Sequence, residues 1–157
     1  RETLLFHEIV PVDYIEASPV YFNNPHAHER FGMIFTKYRV FELVQYEKVL
    51  LLDADLYVRD NLDHLFDLPA PAGMARGQNK PPEGQKMLEG MPVNAGLMLL
   101  RPDRSFLKAV LKDITGEHPR PPKNYNSPDA DYLTEQSPLR GQWTSIPLEY
   151  NYQLEFE

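Results

Sequence analysis

Two carboxylates one residue apart, Asp53 and Asp55, follow the apolar run Val49-Leu50-Leu51-Leu52. A short Val- and Leu-rich run bounded by polar residues has the pattern of a buried strand of a parallel sheet. The pair then stands where the strand leaves the core, and ligands of open α/β sheets bind outside the carboxyl ends of strands. Carboxylate oxygens so placed suit a hard divalent cation, which in turn can hold a diphosphate. A bare Asp-x-Asp is equally what a polar turn after a strand looks like. Lys37 lies on a predicted helix just upstream, where it either reaches a phosphate or is solvated. Asn94 and Gly96 open a second apolar run, Val93 to Leu100, and a glycine there lets a ligand or a neighbouring strand come close. Asp129 and Asp131 follow Ser127-Pro128, a good helix start, and a helix N-terminus stabilises carboxylates. His26 and His28 are spaced to face one side of an extended segment as a metal pair, although loop histidines are ordinarily solvated. Arg76 and Lys80 fall in a long loop, where they either approach a phosphate or face water.

The elements that must position these residues alternate. Leu4 to Val12 suggests an extended entry as an edge or second strand, and Glu16 to His28 carries turn chemistry. From about Arg30 to Tyr46, Phe31, Ile34, Phe35, Tyr38 and Phe41 recur at helical spacing. Asn61 caps a short helix through Leu65 and Phe66 that Pro69 ends. Pro69 to Pro92 reads as a long mobile loop with a short strand at Gly73-Met74-Ala75, and loops of that length are often lids. Pro102-Asp103 opens a helix with Phe106, Leu107, Val110, Leu111 and Ile114 on its apolar face, stopped at Gly116. A second Pro- and Asn-rich loop runs from His118, and a last short strand covers Trp143 to Ile146. Strands alternating with helices give an α/β class with a mainly parallel central sheet flanked by helices.

Composition excludes several functions. The 157 residues suffice for one domain with a real core, and the 42% hydrophobic content fits a globular chain. A net charge of -7 without blocks of like charge argues against nucleic acid or an anionic membrane as partner. A local metal and lysine can still hold an anionic small ligand. With no cysteine, disulfides and thiolate sites are excluded, so any metal is held by oxygen or imidazole. The lack of cysteine and of an Asn-x-Ser/Thr sequon fits a cytoplasmic location and leaves the Golgi lumen as an alternative. No stretch is long enough to span a bilayer, and no signal peptide is expected. The abrupt ends at Arg1 and Glu157 suggest a piece of a longer protein.

Neither Gly-x-Gly-x-x-Gly, nor the P-loop pattern, nor Gly-x-Ser-x-Gly occurs, which leaves carboxylate and metal chemistry. Three readings then stand. Asp53 as nucleophile with Asp55 as acid/base would match haloacid-dehalogenase-like phosphatases, but those want Thr or Val where Tyr57 stands. Alternatively the pair holds a metal against a sugar-nucleotide diphosphate. The third reading is a non-catalytic sugar-nucleotide-binding or scaffold module.

Four ordered motifs favour the sugar-nucleotide reading. They are Phe35-Thr36-Lys37-Tyr38 through Leu52-Asp53-Ala54-Asp55 to Asn61 and Pro69; Asn94-Ala95-Gly96-Leu97-Met98; Asp129-Ala130-Asp131-Tyr132-Leu133; and Ile146-Pro147-Leu148-Glu149-Tyr150-Asn151. Together they resemble glycosyltransferase family 8, the family of glycogenin and galactinol synthase, from about Val10 to Asn151. The resemblance implies a GT-A-type nucleotide-diphospho-sugar transferase fold, with residues 1–157 as one incomplete catalytic domain. It implies retaining transfer of a hexose from a UDP-sugar to a sugar, polyol or protein acceptor, with Mn2+ or Mg2+. On this reading Asp53 and Asp55 bind the metal, and Ala54 joins them against the ribose-diphosphate. Asn94, Ala95 and Gly96 line the donor sugar. Lys37 steadies the diphosphate and Asp129 sits near sugar and acceptor, the two residues expected to be catalytic. A metal and a lysine would stabilise charge on the departing diphosphate. Tyr150 and Asn151 read as packing and turn residues, and the resemblance leaves room for a homodimer. Ala130 departs from the family, where an amide side chain often follows the first acid. The family's first strand would precede Arg1 and its late metal-ligand His would follow Glu157.

Overall fold

A computed structural model describes residues 6–22, 25–77, 80–116 and 127–151. Four helices are α1 (Pro19–Phe22), α2 (Pro25–Phe31), α3 (Arg104–Thr115) and α4 (Pro128–Glu135). Four strands are β1 (Val49–Leu52), β2 (Ala72–Ala75), β3 (Val93–Leu100) and β4 (Thr144–Ile146). Among the described residues, the 3₁₀ helices Ile34–Glu42, Asp63–Asp67 and Leu148–Asn151 complete the element order. The strands form one sheet in the order β1-β3-β2-β4. The fold is mixed α/β with helices flanking a four-stranded sheet, consistent with a GT-A-like fold.

The expected mainly parallel sheet needs correction. β3 pairs antiparallel with both β1 and β2, and only β2 and β4 pair in parallel. Parallel neighbours need a long crossover, usually a helix. Between β2 and β3 the described chain has no helix, so β3 returns antiparallel beside its predecessor. β1, β2 and β4 nevertheless all point the same way. Their carboxyl ends therefore share one edge, where the amino end of β3 also lies.

Each face of the sheet carries a hydrophobic cluster. Val49 and Leu51 alternate with Leu50 and Leu52 between the two clusters, as a pleated strand requires. The larger cluster joins Met98 and Leu100 to Phe35, Tyr38, Phe41, Phe106, Val110 and Tyr132. The smaller one holds Leu65, Ala72, Leu97, Leu99 and Ile146. The β2–β3 register shifts between Gly73 and Met74, whose partners on β3 are Met98 and Asn94. This irregularity explains why Val93 and Ala95 join the larger cluster while Leu97 and Leu99 join the smaller.

Other expectations also change. The helix predicted from Arg30 to Tyr46 divides: α2 ends at Phe31, and a 3₁₀ helix follows from Ile34. Phe35, Tyr38 and Phe41 recur every third residue, which suits the three-residue turn of a 3₁₀ helix, and all three are buried. Residues 6–18 form no strand, and Phe6, Ile9, Val10, Val12 and Tyr14 are exposed. The described end of the long loop is docked rather than loose. Met87 N–H donates to Trp143 O at 2.8 Å, Ser145 N–H to Gln85 O at 2.8 Å, and Met87 is buried. Leu4, Leu5, Asn23, Asn24 and the loop from His118 through Asn126 lie outside the described residues. No helix of the described residues is long and apolar enough to cross a membrane.

α3 starts as its sequence predicts. Asp103 Oδ1 accepts hydrogen bonds from Ser105 N–H and Oγ–H, both at 2.7 Å. The Ser105 hydroxyl, then its N–H, hold the Asp103 carboxyl below its ordinary value. A lowered value stabilises the fold above the unfolded carboxyl's titration and loses that contribution as pH falls through the folded one. Asp103→Ala is expected to cost about 1 kcal/mol in urea unfolding at neutral pH, with the difference from wild type vanishing in acid.

Candidate functional site

The predicted site assembles where β1 leaves the sheet. Asp53 N–H donates to Gly96 O at 2.8 Å, so backbone pairing with β3 continues one residue beyond β1. Asp53 O accepts from Leu56 N–H at 3.2 Å, closing a turn over Ala54 and Asp55. Asp55 is exposed and faces an open cleft of about 1300 Å³ shared with Asp53, Asn94, Gly96, His64, Tyr150 and Asn151. Ala54 is exposed beside it and stands outside the cleft lining.

Behind Asp53 sits Lys37, carried by the 3₁₀ helix. Its Nζ lies 2.8 Å from Asp53 Oδ1, 3.1 Å from Asp53 Oδ2 and 3.0 Å from Asp129 Oδ2. Exposure falls from 36% for the Asp53 side chain through 18% for Lys37 to 6% for Asp129. Burial pulls the Lys37 ammonium down, but the Asp129 and Asp53 carboxylates outweigh it and hold the group above its ordinary value. The amine is therefore a cation at any physiological pH. Tyr38, the next residue, donates its hydroxyl to Asp129 O at 2.7 Å, fixing the start of α4 against the same 3₁₀ helix. Asp129 and Lys37 thus stand behind Asp53, outside the residues that line the cleft.

On the other side of Asp53, Asn94 Oδ1 accepts from Gly96 N–H at 2.7 Å and from Asn151 Nδ2 at 2.8 Å. A Cβ on Gly96 would lie 2.9 Å from Asn151 Nδ2 and 3.0 Å from Asn94 Oδ1. The glycine is needed because two amides and a carboxylate converge on it. The Ala95 side chain is buried in the larger core cluster, so its methyl is turned away from this face.

The structure leaves other candidates apart. His26 and His28 lie on α2, not on an extended segment, and residues two apart on a helix point in different directions. His28 Nε2 hydrogen-bonds Ala17 O at 3.1 Å. Lys80 is exposed, and Arg76 NH1 approaches Asp131 Oδ1 at 4.0 Å. The buried Asp131 Oδ2 has no hydrogen-bond partner among the described residues. Burial, opposed by Arg76, raises the Asp131 carboxyl above its ordinary value.

The residues underrated in the sequence are His64, Tyr150 and Asn151. The Tyr-Asn pair had a visible signal in Pro147-Leu148-Glu149-Tyr150-Asn151, but nothing in it indicated that the segment folds back to Asn94. Among the described residues, no group of three or more His, Asp or Glu gathers as a closed metal site. Asp53 and Asp55 supply carboxylate oxygens at the cleft, a donor set that suits a hard cation whose remaining ligands come from a bound substrate and water.

Comparison with known proteins identifies the family. The family described as Glycosyl transferase family 8 matches residues 3–157. The chain is 37% identical over 159 residues to Uncharacterized protein R707 of Acanthamoeba polyphaga mimivirus, covering 94% of this chain and 53% of that protein. It is 46% identical over 59 residues to Galactinol synthase 2 of Solanum lycopersicum, covering 34% of this chain and 17% of the enzyme. It is 29% identical over 118 residues to UDP-glucuronate:xylan alpha-glucuronosyltransferase 1 of Arabidopsis thaliana, covering 75% of this chain and 15% of that protein. The chain thus spans about half the length of the mimivirus protein and less than a fifth of the plant relatives.

Lys37→Met strands the buried Asp129 charge and is expected to cost about 3 kcal/mol in urea unfolding, with Asp129→Asn added to it recovering part of the loss. Asp131→Asn is expected to raise the melting temperature at pH 7, because it removes a buried charge whose Oδ2 has no hydrogen-bond partner and whose Oδ1 meets Arg76 only at 4.0 Å. With a raised native titration, wild type gains stability as pH falls, so the two melting curves should converge in acid.

Proposed function

The chain belongs to glycosyl transferase family 8, and on that premise we propose that its cleft binds a UDP-sugar and takes part in retaining transfer of a hexosyl group to an acceptor hydroxyl. Residues 1–157 form part of one catalytic domain in this reading. The observation that carries it is the arrangement around Asp53: a pair of carboxylates facing a cleft, with a lysine and a buried carboxylate immediately behind. The word UDP-glucuronate in the name of a relative supports a uridine nucleotide as the activated donor.

Asp53 and Asp55 would hold a divalent cation, Mn2+ or Mg2+, and their all-oxygen donor set and exposure to the cleft fit that role. A cation held there would supply positive charge against the departing diphosphate. The residues of this chain do the rest. Lys37 supplies a permanent positive charge within reach of Asp53, and its pairing with Asp129 fixes its position without further side-chain ordering. Asn94 and Gly96 offer an ordered polar wall for the sugar hydroxyls. Asp129, held at the start of α4, would supply a carboxylate near the sugar from behind Lys37. The acceptor is a sugar, a polyol or a protein hydroxyl. The phosphatase alternative has lost its ground, since the family is one of transferases.

Calorimetric titration of UDP-glucose, UDP-galactose and UDP-glucuronate, with and without Mn2+, tests the reading. At least one donor should bind in a metal-dependent manner, and Asp55→Asn should weaken that binding about tenfold or more. Failure of all three to bind the folded protein, in either condition, would remove the proposal.

A further inference from the structure

The sheet order puts β1 and β4 at opposite edges, with β3 and β2 between them. The segments that follow these two edge strands nevertheless meet. His64, in the 3₁₀ helix after β1, and Tyr150, in the 3₁₀ helix after β4, share a hydrogen bond between Nε2 and the phenol oxygen at 2.8 Å. Their rings lie 5.5 Å apart and are tilted by 49°. The chain after β4 therefore folds back across the carboxyl edge of the sheet to reach its far side. The neighbouring residue, Asn151, is buried and donates from Nδ2 to Asn94 Oδ1 at 2.8 Å.

The result is a continuous run of polar contacts around the cleft. It passes from His64 to Tyr150, along the backbone to Asn151, then to Asn94, Gly96, Asp53, Lys37 and Asp129. All but Lys37 and Asp129 line the cleft. The Leu148–Asn151 helix is only four residues long, so fixing the Tyr150 ring at one end fixes the Asn151 amide beside it. The pairing also leaves Asn94 little choice of rotamer. Its Oδ1 is committed to Gly96 N–H and Asn151, which leaves the Asn94 amide nitrogen as the free donor of that side chain.

We infer that His64 and Tyr150 are positioning residues for the donor sugar: their hydrogen bond straps the Tyr150-Asn151 segment across the sheet edge and so aims the Asn94 amide into the cleft. The inference rests on the proposed sugar-nucleotide reading and adds a specificity role to two residues outside the Asp-x-Asp and Asn-Ala-Gly motifs. The Tyr150 phenol is suited to the task, because desolvation, with Glu83 and Glu149, raises its titration and keeps the hydroxyl protonated. An exposed hydrogen bond adds little to folding, but one enclosed when a ligand displaces water is strengthened. The strap should therefore be felt in ligand recognition more than in stability.

The test is a double-mutant cycle with Tyr150→Phe, His64→Ala and both together, titrating UDP alone and the UDP-sugar that wild type binds best. UDP lacks the sugar that Asn94 faces. The affinity for the UDP-sugar should fall about fivefold in each single variant, clearly more than that for UDP, and no further in the double variant. His64→Gln, whose amide can still meet the phenol, should recover most of the loss. Melting curves establish that each variant is folded. Equal losses for UDP and UDP-sugar, additive losses in the double variant, or affinities unchanged from wild type would each overturn the strap. A wild-type chain that binds no UDP-sugar would instead remove the parent reading and this one with it.

Discussion

Everything at the cleft depends on one ammonium group placed between two carboxylates. Asp53 and Asp129 come from segments far apart in the chain, and without a cation between them their charges would repel in a half-dry environment. Lys37 makes their approach favourable, with contacts of 2.8 and 3.0 Å. Coulomb attraction at such distances is weak in water but several-fold stronger where the effective dielectric constant falls. Both conditions hold here, because one partner lies almost fully buried and the other opens to solvent. The lysine is thereby a counter-ion to a buried carboxylate on its inner side and to a cleft carboxylate on its outer side.

That interaction can exist only because the sheet gathers its ends. With β1, β2 and β4 pointing the same way, the loops that leave them emerge at one edge. β3 runs against them and delivers its amino end, with Asn94 and Gly96, to the same edge. α4 completes the enclosure from the larger core cluster, where Tyr132 and Leu133 pack with the aromatic residues of the 3₁₀ helix. The Val93 N–H donates to Thr134 Oγ1 at 3.1 Å, tying α4 to the start of β3. Packing on one face of the sheet thus determines where charge is displayed at its edge.

Much of this was legible beforehand, for identifiable reasons. β1, β3 and α3 carry strong local patterns: an unbroken apolar run, a second one bounded by polar residues, and an apolar face behind an Asp cap. The neighbourhood of Asp53, Lys37 and Asp129 followed from motif order and resemblance rather than from periodicity. Strand direction was hidden, because an apolar run reads the same whether its neighbours are parallel or antiparallel. The exposed segment from Phe6 to Tyr14 has the composition of a strand, but pairing partners decide whether a strand forms, and composition carries no information about them. The fold-back of Tyr150 and Asn151 depends on long-range hydrogen bonds that no local pattern encodes. The docked course of Gln85 and Met87 along β4 was concealed in the same way by a Pro- and Gly-rich composition.

The tight winding of residues Ile34–Glu42 has a geometric consequence for the lysine it carries. Three residues per turn make the segment a three-sided prism whose edges run straight. One edge, Phe35, Tyr38 and Phe41, is sunk in the larger core cluster. A second, Thr36, Arg39 and Glu42, meets the amino-terminal segment: the Thr36 hydroxyl oxygen accepts from Ile15 N–H, and the Arg39 Nε–H donates to Asp13 O. The third is Ile34, Lys37 and Val40, with the only charge on that edge at its centre. Rewinding the same residues as an α-helix would turn successive members of each edge by about 60° relative to one another. The ammonium and the aromatic column could then no longer both keep their places. A single inserted residue between Phe35 and Lys37 would rotate the prism by one side and exchange a buried ring for a charge. The spacing of two between Phe35 and Lys37 is therefore as much a requirement of the site as the identity of the lysine itself.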